Sequence, residues 1–156
     1  MDQLRRAFLK NAGIAGAVMV AICTGLLRSG EVLAATWNKL AFTSTNAADA
    51  MKNANYGGAA ESKDILLKLP DIAENGASVP VEVTSNIPGT TSIAIFVEKN
   101  QNPLVADFEF SNGSEPYIST FIKMSQTSQV RVAVKAGGKA YTQSKEVKVT
   151  IGGCGG

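Results

Sequence analysis

From Asp64 onward the chain alternates apolar and polar residues with a period of two, and turn signals interrupt the alternation at short intervals. Side chains of an extended chain point alternately to opposite faces, so this pattern builds strands with one dry face. ILLKL (65–69) reads as a strand ended by Pro70, and Asn75-Gly76 as a turn. VPVEVTS (79–85) alternates, IPGT (87–90) turns, and SIAIFVEK (92–99) follows. The NQNP loop (100–103) leads into LVADFEF (104–110), SNGSEP (111–116) turns again, and YISTFIKM (117–124) alternates. In SQVRVAVKA (128–136), Val130, Val132 and Val134 share one face, with Arg131 and Lys135 on or near the other. Gly137-Gly138 makes a hairpin into KAYTQ, and KEVKVTI (145–151) closes the set. Many short strands separated by turns predict an all-β fold, an immunoglobulin-like antiparallel β-sandwich spanning residues 63–151.

The residues before this domain divide in two. Residues 35–62 are polar and rich in Ala and Asn, and AADAMKNA (47–54) predicts one short helix, with Asn46 or Thr45 as its cap and Gly57-Gly58 beyond its end. Residues 1–34 read as an export signal: LRRAFLK, an apolar Gly/Ala-rich stretch from Ala12 to Leu27, a polar break and a small-residue site that suits cleavage between Ala34 and Ala35. Arg5 and Arg6, followed by x-Phe-Leu-Lys, are similar to the twin-arginine export motif, with Leu4 where Ser or Thr is usual. The implied destination is the periplasm.

Composition removes several function classes. The chain has no histidine, so it lacks the usual proton shuttle near neutral pH and the commonest metal ligand. No cluster of acids and cysteines has metal-ligand spacing, and no cofactor is expected. The net charge of +2 lies in the leader, whose Arg5, Arg6, Lys10 and Arg28 outnumber Asp2 and Glu31; the remainder is neutral and has no basic stripe for nucleic acid.

Of the two cysteines, Cys23 lies in the apolar run of the leader, after Ile22, and leaves with it. The mature chain then carries one thiol, Cys154, which rules out an inter-sheet disulfide. Gly152, Gly153, Gly155 and Gly156 surround it. Glycine loses more conformational freedom on ordering than any other residue, so residues 152–156 are expected to form a flexible arm. Three extended residues beyond Ile151 carry the thiol roughly 10 Å from the sandwich. Four glycines leave the cysteine without flanking side chains, so a narrow cleft on another protein could admit it. With no second cysteine to resolve a mixed disulfide, this pattern suits a covalent carrier better than an enzyme. Two readings stay open on these residues: a carrier acted on by partners, and a non-catalytic β-sandwich module cross-linked through Cys154.

IGGCGG after KEVKVT resembles the end of SoxY, the sulfur-carrying family of the bacterial thiosulfate-oxidising system. LPDIAENGASVPVEV (69–83), IAIFVEKNQNPLVADFEF (93–110), YISTFIKM (117–124) and the twin-arginine leader are also similar to it. The resemblance implies that Cys154 is the covalent attachment point for thiosulfate-derived sulfur, passing through a cysteine S-thiosulfonate and a persulfide. It also implies partners: SoxZ as the other half of a heterodimer, the haem enzyme SoxAX for loading, the di-manganese hydrolase SoxB for sulfate release, and the sulfane dehydrogenase SoxCD. FVEKNQNP (96–103) reads as a strand and turn rather than as a partner surface.

Overall fold

A computed structural model describes residues 37–150 with the exception of residue 112. Among the described residues two short helices come first, α1 (Lys39–Thr43) and α2 (Ala47–Asn53). Each starts on an asparagine whose side chain caps it: Asn38 accepts from the Ala41 N–H, and Asn46 from the Asp49 N–H at 2.8 Å. The helix expected over 47–54 is α2, capped by Asn46. It ends ahead of Gly57, because Asn55 takes up the left-handed conformation at φ 60° that stops a helix. The helix α1 is an addition to the sequence reading.

Nine strands follow among the described residues: β1 (Ala60–Glu61), β2 (Ile65–Lys68), β3 (Ile72–Ala73), β4 (Val79–Ser85), β5 (Thr90–Val97), β6 (Leu104–Glu109), β7 (Tyr117–Ile122), β8 (Ser128–Ala136) and β9 (Lys139–Val149). They form a larger sheet in the order β1-β9-β8-β5-β6, with β3 also on β9, and a smaller sheet in the order β2-β4-β7. This is the expected sandwich, with two refinements. The segments 139–143 and 145–151, expected as separate strands, are joined as far as Val149 in one strand that pairs with β8 from Lys139 to Val147, and residue 151 lies outside the described residues. And β1 and β3, two residues each, pair with β9 in parallel, an exception to the antiparallel rule.

Those two short strands show how the sandwich is closed on one side. The chain pairs with β9 at Ala60–Glu61, crosses to pair with β4 at residues 65–68, and returns to β9 at Ile72–Ala73. A single length of chain therefore serves both sheets at a corner.

Between the sheets lies the main core. Val79, Val81 and Val83 of β4 and Ile118 and Ile122 of β7 meet Ile93, Ile95 and Val97 of β5 and Val130, Val132 and Val134 of β8. A second core lies on the other face of the larger sheet, where Ala94, Phe96 and Ala133 meet Ala41, Ala50, Ala54 and Tyr56. Residues 92–97 are thus buried without interruption. This explains why SIAIFV is an unbroken apolar run: a strand covered on both faces has no wet side to alternate with. Small alanines on both elements let the helices approach the sheet closely.

Tyr56 locks this second layer. Its ring is fully buried and meets Phe96 edge-on at 6.1 Å. Its hydroxyl lies 2.9 Å from Ser92 Oγ and donates to Asp107 Oδ1 at 2.7 Å. Lys135 Nζ sits 4.1 Å from the ring centre and donates to the Ala54 carbonyl at 2.9 Å, a cation–π contact across the layer. Burial drives the phenol far above its ordinary range, so it remains a protonated donor. The same crowding raises the Asp107 carboxyl above the ordinary carboxylate range, although the residue keeps one side in solvent.

Candidate functional site

The residues singled out for function, Cys154 with Gly152, Gly153, Gly155 and Gly156, lie outside the described residues, as do Arg5 and Arg6 of the leader. What the structure places is the root from which the cysteine segment departs. Three consecutive backbone N–H groups and one side-chain hydroxyl hold it. Lys148 N–H donates to the Asp71 carbonyl at 3.0 Å, and Val149 N–H to Thr127 Oγ1 at 2.9 Å. Thr150 N–H donates to the Ala73 carbonyl at 3.1 Å, and Thr150 Oγ1 to the Glu74 carbonyl at 3.1 Å. The backbone contacts alternate between residues 71–73 on one side and the β7–β8 turn on the other, and the Thr150 hydroxyl joins the first side at Glu74. The chain is clamped through Thr150, the last described residue, and the Ile151 pivot that the sequence suggests lies outside the described residues.

An ion pair supports the clamp from behind. Lys145 Nζ lies 2.9 Å from Asp71 Oδ1 and donates to the Leu69 carbonyl at 2.7 Å. This ammonium holds the Asp71 carboxyl below its usual value, first by hydrogen bonding and then by charge. The side chain of Asp71 is open to water, so screening keeps the pair weak. Its place matters more than its strength: it sits on the segment whose carbonyl receives Lys148.

The end of the sandwich that carries this root is polar. Val97 of β5 pairs with Val130 of β8, and Ser128 at the start of β8 pairs with Val147 of β9, so these strand ends lie together. Ser128 Oγ accepts from the Lys99 N–H at 3.0 Å. Asn100 ties the β5–β6 loop to the β7–β8 turn: its Nδ2 donates to the Lys123 carbonyl at 2.7 Å, and its Oδ1 accepts from the Ser125 N–H at 3.0 Å. Arg131 engages Glu98 Oε1 through both Nε and Nη2, at 3.1 and 2.9 Å. The root contacts Thr127 and Asp71 and the loop residue Asn100 escape sequence reading, because their roles depend on partners 22 to 77 positions away.

The model of the family described as sulfur oxidation protein SoxY matches residues 52–154, a stretch that runs from α2 through both sheets to the cysteine. The chain belongs to the SoxY family. A solved structure of the sulfur carrier protein SoxY from Chlorobium limicola f thiosulfatophilum is 45% identical, with a TM-score of 0.58, and the match covers 66% of this chain and 96% of that one. A superoxide reductase (neelaredoxin) from Ignicoccus hospitalis also matches, at 15% identity and a TM-score of 0.49 over 64% of this chain and 86% of that one, a likeness too slight to carry an inference. No curated protein matches the chain. Membership of the SoxY family agrees with the sequence resemblance and with the all-β sandwich. It makes this chain one of a family of sulfur carriers.

Proposed function

We propose that this protein is a periplasmic carrier that holds thiosulfate-derived sulfur covalently on the thiol of Cys154 while partner enzymes act on it. The observation that carries this reading is the match to the SoxY family, which extends to Cys154 itself. Two features support it. Cys154 is the one thiol left once residues 1–34 are removed, and it is flanked only by glycine. The strand leading to it is clamped through Thr150, which gives the glycine-rich arm expected from the sequence a fixed point of attachment.

In this reading the chain supplies a sulfur atom and a tether, and the partners supply catalysis. Glycine permits many backbone conformations, so one arm can enter several differently shaped clefts, each ordering it on binding. The partners are a SoxZ-like subunit in a heterodimer, a SoxAX-like haem enzyme, a SoxB-like di-manganese hydrolase and a SoxCD-like sulfane dehydrogenase. Export follows the twin-arginine route through Arg5 and Arg6. That route carries folded proteins, so a leaderless partner could cross already bound.

Intact mass spectrometry tests the reading. After incubation with thiosulfate and the cognate haem enzyme, the protein should gain a thiosulfonate adduct, and fragmentation should place it on Cys154. An unmodified mass, or the same adduct on Cys154→Ser, defeats the proposal. Cell fractionation should find the mature chain in the periplasm, and Arg5→Lys/Arg6→Lys should retain it in the cytoplasm.

A further inference from the structure

Asparagine is followed by glycine at residues 75–76 and again at 112–113, where residue 112 lies outside the described residues. Such a pair sets a nucleophile beside an electrophile. The backbone nitrogen of the glycine can attack the asparagine carboxamide carbon, and glycine has no Cβ to obstruct the approach. Asparagine is a thermally labile residue.

The fold poises the first pair for this reaction. Asn75 is exposed in the β3–β4 turn, so water reaches its carboxamide. The Ala77 N–H donates to Asn75 Oδ1 at 2.8 Å, which folds the carboxamide back over the Gly76 peptide. Oδ1 is the atom on which negative charge develops when the Gly76 nitrogen adds to Cγ. A fixed backbone donor at that distance is an arrangement that stabilises an oxyanion. No described residue accepts from the Gly76 N–H, so no other bond holds the attacking nitrogen away.

Both sides of the pair are committed elsewhere. The Ala73 carbonyl accepts from the Thr150 N–H at 3.1 Å, and the Glu74 carbonyl from the Thr150 hydroxyl at 3.1 Å. The Gly76 carbonyl accepts from the N–H of the fully buried Met124 at 2.7 Å. The Asn75–Gly76 link therefore joins the segment that braces Thr150 to the start of the β7–β8 turn.

We propose that Asn75 is a site of spontaneous deamidation, and that its isoaspartate product loosens the clamp on Thr150. The Gly76 nitrogen gives its proton to a solvent base and bonds to Asn75 Cγ. The oxyanion collapses, the Cγ–Nδ2 bond breaks, and the leaving nitrogen takes a proton from water and departs as ammonia. A succinimide ring remains. Water then adds to one ring carbonyl: opening at Cγ gives aspartate, and opening at the main-chain carbonyl gives isoaspartate. The sum exchanges one water for one ammonia, with no oxidation or reduction. Position 75 is exposed, so either product keeps its new carboxylate in water. Isoaspartate also routes the chain through Cβ and Cγ, which lengthens the path between Glu74 and Gly76. The bonds on the two sides cannot both persist. The Met124 bond is buried and costs more to break than the exposed contacts of Thr150, so the clamp yields.

Ageing the mature chain at mildly alkaline pH, with Asn112→Gln to silence the second pair, tests the proposal. Mass spectrometry with fragmentation should find an amide replaced by a carboxylate at residue 75, and an isoaspartyl methyltransferase should methylate the product. Conversion should be no slower in the native protein than in the same chain unfolded in urea, because the fold holds the Ala77 donor in place. Asn75→Gln, one methylene longer, should stay unmodified. Hydrogen exchange then reads the consequence. The Thr150 amide should quicken roughly fivefold in the purified isoaspartate form, the effect of one backbone bond lost. It should keep the wild-type rate in Asn75→Asp, which has the charge without the longer backbone. Slower conversion in the native chain than in the unfolded one overturns the site, and unchanged Thr150 exchange in the isoaspartate form overturns the loosening. Neither result bears on the carrier reading, which is decided by the adduct on Cys154.

Discussion

The Val149 N–H donates to Thr127 Oγ1 at 2.9 Å, joining the end of the last strand to the β7–β8 turn by a side chain rather than by sheet pairing. The two residues are 22 positions apart. The bond is one of those that hold the end of the last strand to its neighbours. Thr127→Val keeps the shape and removes the acceptor, and should cost about 1 kcal/mol of stability. Amide hydrogen exchange at Val149 should quicken, whereas Thr127→Ser should behave as wild type. Equal exchange in the valine and wild-type proteins would mean that the clamp does not depend on this bond.

Widening the arm should affect function without affecting the fold. Gly153→Val adds a β-branched side chain that stiffens the backbone beside the thiol. Chemical denaturation should give an unchanged midpoint, and sulfur oxidation in a reconstituted system should slow. A wild-type oxidation rate in this variant would count against entry into narrow clefts.

Removing the Tyr56 hydroxyl should loosen the helical layer. Tyr56→Phe keeps the edge-on contact with Phe96 but deprives Asp107 and Ser92 of their shared partner. The expected loss is about 1–3 kcal/mol, the range for a buried polar group left without its bond. Urea unfolding measures it; a loss below about 0.5 kcal/mol would show that water replaces the hydroxyl.

Two acids should give opposite pH dependences. Asp107 has a raised carboxyl, so the folded state binds its proton more tightly than the unfolded state. Its contribution is fully present below about pH 4, the ordinary carboxylate value, and is lost as pH rises through the raised value. Asp107→Asn can still accept from Tyr56 and should gain stability relative to wild type between pH 4 and 7. Asp71 is lowered by Lys145, so its contribution is present above the ordinary value and is lost as pH falls through the lowered one. Asp71→Asn should therefore match wild type in acid and fall slightly below it at neutral pH. Urea melts at several pH values compare the variants, and curves parallel to wild type for Asp107→Asn would refute the assignment.

The alternation of β4 and β8 was readable to the residue, because each has one face on the core between the sheets and a periodic pattern records that directly. The unbroken run in β5 carried a further message: its second face needed a cover. The sequence did not name that cover, since the alanines of α1 and α2 look alike whether they meet a sheet or water. The two-residue strands β1 and β3 could not be read at all. Nothing local makes Ala60–Glu61 or Ile72–Ala73 extended; β9 does, by offering free backbone groups at its edge. The same dependence hid the role of Glu98 within FVEKNQNP, which is held by Arg131.

Local chemistry was enough to choose strands and to isolate one thiol among glycines, because alternation and glycine content act over a few adjacent residues. Tertiary structure decided where the last strand is clamped and which segments brace it. Those outcomes require hydrogen bonds and charges from segments distant in sequence to meet at one end of the sandwich, and only the folded sheets bring them together.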